Sequence, residues 1–314
     1  MFLKADKYSA EQLTEIDASS VRSITIESSI EKGKIGPMKK LLQANQDLRI
    51  VLVVDPAIQE RNGCYNNLDI AAAIGNLKHL SVLAFASTPL DNISQLEGLT
   101  ELKTFRLSGA YKKDIDLRPL ATAANIEELE MEYGLAGPKQ AFFVNNLHRL
   151  RSLKVSVLDL KQVHLSSVLT ELTVSNTLKS PELLSSVLPG VKSFSINYAK
   201  GIDTFDFIAQ LKGLESLQIG YSSKLRRLPE MQMPSTLKHL SLISTKQFDH
   251  LDSILQFENL EELRITEPTQ VPLPDFKELK DLRHLKRVNI VFKTEPEDLA
   301  FAEMAKTNGW TTVY

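Results

Sequence analysis

The chain has 314 residues, 43% hydrophobic and 24% charged, which is ordinary for a globular protein and leaves ample apolar material for a long core. A formal net charge of −2 supplies no positive field to gather nucleic acid or acidic membranes, and the single cysteine, Cys64, excludes an intrachain disulfide. The opening MFLKADKYSAEQL has no apolar run of signal-peptide length, and no window approaches the roughly 18 apolar residues of a membrane span, so the expected setting is cytoplasmic.

The first elements are irregularly spaced. VRSITIES from Val21 alternates like a half-exposed strand, and GPMKKLLQANQDL predicts a helix with Met38, Leu41 and Leu42 facing inward. LRIVLVV from Leu48 is almost wholly apolar, as a buried parallel strand would be. An insertion follows near ERNGCYNNLD, where Asn62-Gly63 signals a turn. Residues 1–76 therefore read as an N-terminal cap with diverged repeats.

One phrase recurs from Leu77 onward: apolar, two variable residues, apolar, one variable, apolar. It reads LSVLAF at 80, LKTFRL at 102, IEELEM at 126, LRSLKV at 150, LTELTV at 169 and VKSFSI at 191. It continues as LESLQI at 214, LKHLSL at 237, LEELRI at 260 and LKRVNI at 285. The middle apolar positions are Leu83, Phe105, Leu129, Leu153, Leu172, Phe194, Leu217, Leu240, Leu263 and Val288, separated by steps of 19 to 25 residues. The apolar-x-apolar end has the period of a strand, so each phrase predicts one rung of a parallel sheet. Returns such as DNISQLEGL, FDFIAQLKGL and FDHLDSILQFENL have helix-like spacing, and Pro181 and Pro274 open two others. No repeat buries its apolar face alone, so stacked neighbours make the core.

These phrases resemble the leucine-rich-repeat superfamily, its short-repeat class in particular, over about Leu77 to Ile290. The resemblance implies an α/β leucine-rich-repeat solenoid: a curved horseshoe with a parallel sheet on the concave face and short helices and turns on the convex face. It also implies a non-enzymatic scaffold that binds a protein partner on the concave face. One departure stands out. Five residues after the middle position, where the family places Asn or Cys, this chain has residues such as Ala110, Gly134, Ser222 and Thr245. Hydroxyls, backbone or water must then satisfy the turns.

Residues 77–293 form the regular array, and 294–314 read as a helix-strand cap. Thr294 is the candidate N-cap of a helix over Glu295–Lys306, Asn308-Gly309 its stop, WTTVY a short terminal strand, and Trp310 a lid on the last repeat.

Phosphate-binding loops, dinucleotide fingerprints, zinc motifs and nucleophile elbows are all missing from the sequence, so no catalytic residue, metal or cofactor is expected. His79, His148 and His284 fall in turns entering strands and read as surface residues. Asp249-His250 lacks a nucleophile, and Cys64 lacks a partner motif.

Alternation assigns the variable residues of each strand to the concave face, beginning with Val82, Ala84 and Ala86. Glu128, Glu130 and Glu132 share one strand between Arg106 and Lys154 on its neighbours. They form either a surface salt network or an acidic contact patch for a basic partner. From Ser152 to Gly220 the face is small and mostly uncharged, with Asn197 and Gln218 on it. Tyr133, Tyr198 and Tyr221 occupy one repeat position, where the intervening repeat has Asn176. These rings either cover the strand-exit turns or anchor a partner. A glycan or small-ligand binder, and the targeting module of an effector, are the alternative functions. Nucleic acid and membrane are not expected partners, and the oligomeric state is not readable.

Overall fold

Strands one repeat apart, paired through the same positions of successive phrases, make the framework. The computed structural model describes residues 1–57, 61–85, 88–135, 137–164, 168–266 and 270–312, and its contacts divide the chain into two units, residues 1–155 and 156–314. In the first unit the parallel strands are β1 (Phe2–Lys4), β2 (Ser23–Glu27), β4 (Arg49–Val54), β6 (His79–Ala84), β7 (Thr104–Gly109), β8 (Glu128–Met131) and the start of β9 (Ser152–Asp159). A separate antiparallel pair joins β3 (Ser29–Glu31) to β5 (Cys64–Asn66) at the insertion. The second unit pairs β10 (Glu171–Lys179), β11 (Ser193–Asn197), β12 (Ser216–Gly220), β13 (His239–Ile243), β14 (Glu262–Thr266) and β15 (Arg287–Ile290) in sequence order, all parallel.

The register is that of the phrase. Leu172, Phe194, Leu217, Leu240, Leu263 and Val288 face one another rung by rung, and all are buried. Each buried Leu-sized side chain contributes roughly 1.5–3 kcal/mol relative to exposure. In the first unit, however, Leu80 and not Leu83 lies opposite Phe105, and Val82 lies opposite Leu107. LKHLSV from Leu77 fits the phrase as well as LSVLAF from Leu80, because three leucines stand three residues apart. The structure selects the former. Leu80, Val82 and Ala84 are buried, while Leu83 is 37% and Phe85 72% exposed. Val82 and Ala84 therefore belong to the core and not to the open face, and Ala86 lies outside the described residues. His79 moves with them, from a turn into β6.

The returns are short. Helices α1 (Ala10–Glu15), α2 (Ile35–Ala44) and α3 (Asp69–Ile74) occur early, with α4 (Pro138–Asn145), α5 (Leu184–Val187) and α6 (Glu295–Thr307) later. Between them the returns tighten into 3-10 turns, including Ser94–Leu96, Asp206–Gln210 and Leu273–Asp281, because a repeat of this length leaves few residues for the way back. On α2, Met38 and Leu41 are buried, but Leu42 is half-buried and lines a groove with Lys39, Gln46 and Ile74.

Backbone groups at the returns find side-chain amides in the next repeat. Asn45 Nδ2 donates to the carbonyls of Ala18 and Val21 at 3.0 and 2.9 Å, and Asn259 Nδ2 donates to Ser235 at 2.9 Å. Gln256 donates to the Pro229 carbonyl at 3.1 Å and accepts from Met231 N at 2.8 Å. On the strand-exit side Ser222 and Thr245 are buried, and Ser222 Oγ accepts from Lys224 N at 3.4 Å. The asparagine ladder missing after the strands thus has amide counterparts on the return side.

At strand entries, charge alternates from rung to rung. Glu215 lies 3.0 Å from Lys192 and 3.5 Å from Lys238, and the next two rungs carry Glu261 and Lys286 at the same position. Lys103 and Glu127 pair in the same way in the first unit at 4.0 Å, although Lys78 one rung earlier repeats the charge of Lys103. Strand exits carry a different device. Tyr198, Tyr221 and Ser244 adopt left-handed backbone with φ of 57°, 53° and 52°. Their N–H groups donate to Gly220, Ile243 and Thr266 of the following strand at 2.9, 2.6 and 3.0 Å. That conformation costs about 1–2 kcal/mol for a residue with a Cβ, so the bonds offset much of it.

Beyond β15, Phe276, Phe292 and Phe301 pack with ring centroids 5.4–5.9 Å apart, and buried Trp310 leads to Thr311, which bonds with Lys286 and Val288. Of the expected WTTVY strand, Thr311 forms one bridge to Arg287, and residues 313–314 lie outside the described residues.

The register makes a testable contrast. Leu80→Ala is expected to destabilise the protein by about 2–5 kcal/mol, and Leu83→Ala by only about 0.5 kcal/mol. Urea unfolding of both variants measures it; a larger loss at Leu83 would support the other phrasing.

Candidate functional site

With the core positions filled, the residues between them stand on the open face of the sheet, in rows that run across the strands. In the first unit one row reads Arg49, His79, Thr104, Glu128 and Ser152; the next reads Val51, Ser81, Arg106, Glu130 and Lys154. Leu83 and Ser108 belong to the third, and Glu132 follows Met131 at the end of β8.

Arg106 sits between the glutamates of the neighbouring strand. Its Nη2 is 3.7 Å from Glu128 Oε2 and its Nε is 3.4 Å from Glu130 Oε2. At these separations and exposures each pair is worth only about 0.2–1 kcal/mol. Lys154 pairs with Glu130 in register but has no carboxylate within ion-pair distance among the described residues. Glu132 has a structural task as well: its Oε2 accepts from Gly109 N at 2.6 Å. Gly109 has φ +83°, and a Cβ there would come within 2.2 Å of the Ala84 carbonyl oxygen. His79 Nδ1 lies 3.0 Å from the hydroxyl of buried Thr104; burial first, then the Arg49 charge, lowers its pKa.

Tyr133 stacks at a tilt on Tyr111, centroids 4.6 Å apart, and Tyr133 N donates to the Tyr111 hydroxyl at 2.7 Å. The ammonium of Lys113 lies 5.9 Å from the Tyr133 ring centre. Burial pushes the Tyr111 phenol up to about 12, and the bond from Tyr133 N partly opposes the shift.

In the second unit the open-face rows read Glu171, Ser193, Ser216, His239, Glu262 and Arg287, then Thr173, Ser195, Gln218, Ser241, Arg264 and Asn289. The rows end differently: Glu262 holds Arg287 through bonds of 3.0 and 2.7 Å, whereas the middle is neutral. Gln218 Nε2 donates to Ser195 Oγ at 3.0 Å and to Asn197 Oδ1 at 3.4 Å. The Asn197 carboxamide lies across Gly220, where a Cβ would sit 2.1 Å from its Oδ1. Tyr198 and Tyr221 stack with centroids 4.5 Å apart and planes 6° from parallel, and they are 57% and 48% exposed. Asn176 is exposed on β10, and its carbonyl accepts from Lys200 N.

Core positions one repeat apart meet in register, returns pass behind them, and the variable residues remain in front. Each unit has the leucine-rich-repeat fold. No family model matches the chain, and no curated protein matches it in sequence. Among solved structures it is similar to an internalin of Listeria monocytogenes at 14% identity and a TM-score of 0.43, over 97% of this chain and 88% of that one. It is also similar to a leucine-rich-repeat protein of Leptospira interrogans at 14% identity and a TM-score of 0.38, over 98% and 99% of the two chains. A third is mouse RP105, solved in complex with MD-1, at 17% identity and a TM-score of 0.43, over 100% of this chain and 57% of that one. The assignment rests on the chain's own repeat and register.

Within this leucine-rich-repeat framework Arg106, Glu128 and Glu130 come together, Tyr133 joins Tyr111, and Asn197, Tyr198, Gln218 and Tyr221 form one neighbourhood. Leu83 and Phe85 were missed by the sequence reading because of the three-residue ambiguity among the leucines; the preceding LKH, read as the phrase's opening, would have found them. His148 and His284 are exposed, Cys64 is half-buried in β5, and Asp249 is paired with Arg226, which lowers its pKa ahead of any effect of His250. Among the described residues no group of three or more His, Cys, Asp or Glu is placed to hold a metal ion, and no helix is long and apolar enough to cross a membrane.

Tyrosine ionisation tests the Tyr111 environment. Ultraviolet titration is expected to show one phenol ionising near pH 12 that disappears in Tyr111→Phe. Folding favours the neutral phenol, so its stabilising contribution is intact below about pH 10 and is lost as pH rises towards 12.

Proposed function

We propose that the chain is a non-enzymatic scaffold that binds a protein partner on the open, concave face, with its main contact in the first unit. The observation that carries this reading is the exposure of Phe85 and Leu83 on the face that also holds Arg106 and its glutamates. Exposed aromatic and aliphatic anchors beside an Arg-containing charged rim are what a protein interface uses. Glu128, Glu130 and Glu132 supply negative charge for a basic segment of the partner, with Arg106 and Lys154 fixing its orientation. Tyr133, backed by Tyr111, forms a second anchor at the strand exit. Such charges act mainly on the speed and selectivity of association. A reducing cytoplasmic setting is proposed with it, since Cys64 is a lone thiol.

The test is retention of proteins from native lysate on the immobilised chain, identified by mass spectrometry, in parallel with two variants. One protein held at near-equal amount is expected. It should weaken at least about tenfold with Phe85→Ala, and weaken again with Glu128, Glu130 and Glu132 changed together to Lys. Retention that neither variant reduces, with circular dichroism unchanged, would remove this face from the interface.

A further inference from the structure

We propose that the second unit carries a separate binding site for a neutral oligosaccharide, built by Tyr198, Tyr221, Asn197 and Gln218 at the exit ends of β11 and β12. The rings ride on adjacent rungs at 4.5 Å, close to the spacing between strands, so they form a flat-sided stack instead of a closed cluster. At the next rung the position holds Ser244, which ends the stack and leaves the Tyr221 face on that side without a third ring. Left-handed backbone at both tyrosines, tied to the following strand, fixes where the rings stand. Both tyrosines remain exposed although a mutual stack covers one face of each ring.

The floor next to the stack is neutral. Across β10 to β13 the open-face residues Thr173, Ser195, Gln218 and Ser241, with Asn197, Gly220 and Ile243 beyond them, include no charge. Gln218 holds the Asn197 carboxamide, and the missing Cβ of Gly220 makes room for it. That arrangement commits Gln218 Nε2 to Ser195 Oγ and Asn197 Oδ1. Asn197 Nδ2 and Gln218 Oε1 have no hydrogen-bond partner among the described residues. One oriented donor and one oriented acceptor suit a ligand whose groups both donate and accept, which is the chemistry of hydroxyls. A ring face offers the complementary surface for the C–H side of a sugar.

A polypeptide fits this floor less well. Serine is depleted in protein interfaces and rare among hot spots, and Thr173, Ser195, Gln218 and Ser241 offer no apolar anchor of their own. The proposal is independent of the protein-binding reading of the first unit.

The full chain is screened on a printed array of neutral oligosaccharides, and the affinity of the best-retained one is measured by calorimetry. Saturable binding is expected. Tyr198→Ala and Tyr221→Ala should each weaken it about tenfold, Asn197→Ala should weaken it by several-fold, and Tyr198→Phe should keep it. Phe85→Ala should leave it unchanged, which separates this site from the first unit's. Ser195→Arg, which fills the floor without touching the rings, should abolish binding even if the alanine variants fold poorly. The proposal is overturned by no retention anywhere on the array, by retention of charged glycans only, or by affinity that survives both tyrosine changes. Loss of a captured protein in the tyrosine variants, with no oligosaccharide bound, would assign the stack to a polypeptide and overturn it too.

Discussion

An apolar side chain resting on its own counterpart one repeat away is the contact on which the rest of this chain depends. Leu217 lies between Phe194 and Leu240, Leu240 between Leu217 and Leu263, and every other feature inherits its place from that sequence of neighbours. Period-two alternation then fixes the opposite face, so a buried residue at one position dictates an open one beside it. The open face is thus a by-product of the core. This is why a three-residue change in phrasing at Leu80 moves four residues together: it puts Val82 and Ala84 inside and Leu83 and Phe85 outside.

Most of the framework was legible because the repeat carries its own redundancy. Where nine phrases agree, each strand is confirmed by its neighbours, and β7 to β15 follow the expected positions. The first phrase had no such support on its N-terminal side, and leucines at 77, 80 and 83 satisfied two templates equally. Only the pairing with Phe105, a long-range fact, decides between them. The candidate residues divide along the same line. That Glu128 and Glu130 meet Arg106 followed from alternation and adjacency. That Glu132 would accept from Gly109 N did not, since it depends on a backbone turn whose φ no composition reveals. The tyrosines show the same limit: their shared repeat position was visible, but a near-parallel stack at Tyr198–Tyr221 and a tilted, hydrogen-bonded pair at Tyr111–Tyr133 were not.

The two open-face regions differ in kind, and the difference comes from side-chain chemistry on nearly the same backbone. In the first unit charge and exposed apolar groups are mixed, with Arg106 between two glutamates and Leu83 and Phe85 open beside them. In the second, amides hold amides and rings hold rings, so the groups are oriented before any ligand arrives. Groups already held in place have less freedom left to lose in any further contact.

The alternating charges at the strand entries constrain how such a chain can change length. With Lys192, Glu215, Lys238, Glu261 and Lys286 on successive rungs, loss of any one interior repeat sets two like charges side by side, and so does duplication of one. Removal or addition of two adjacent repeats preserves the alternation. Each like-charge contact costs only tenths of a kcal/mol, yet it appears at every such event. Over these five rungs the array therefore has a parity: a change of two repeats keeps it and a change of one breaks it, although the unit of folding is a single repeat.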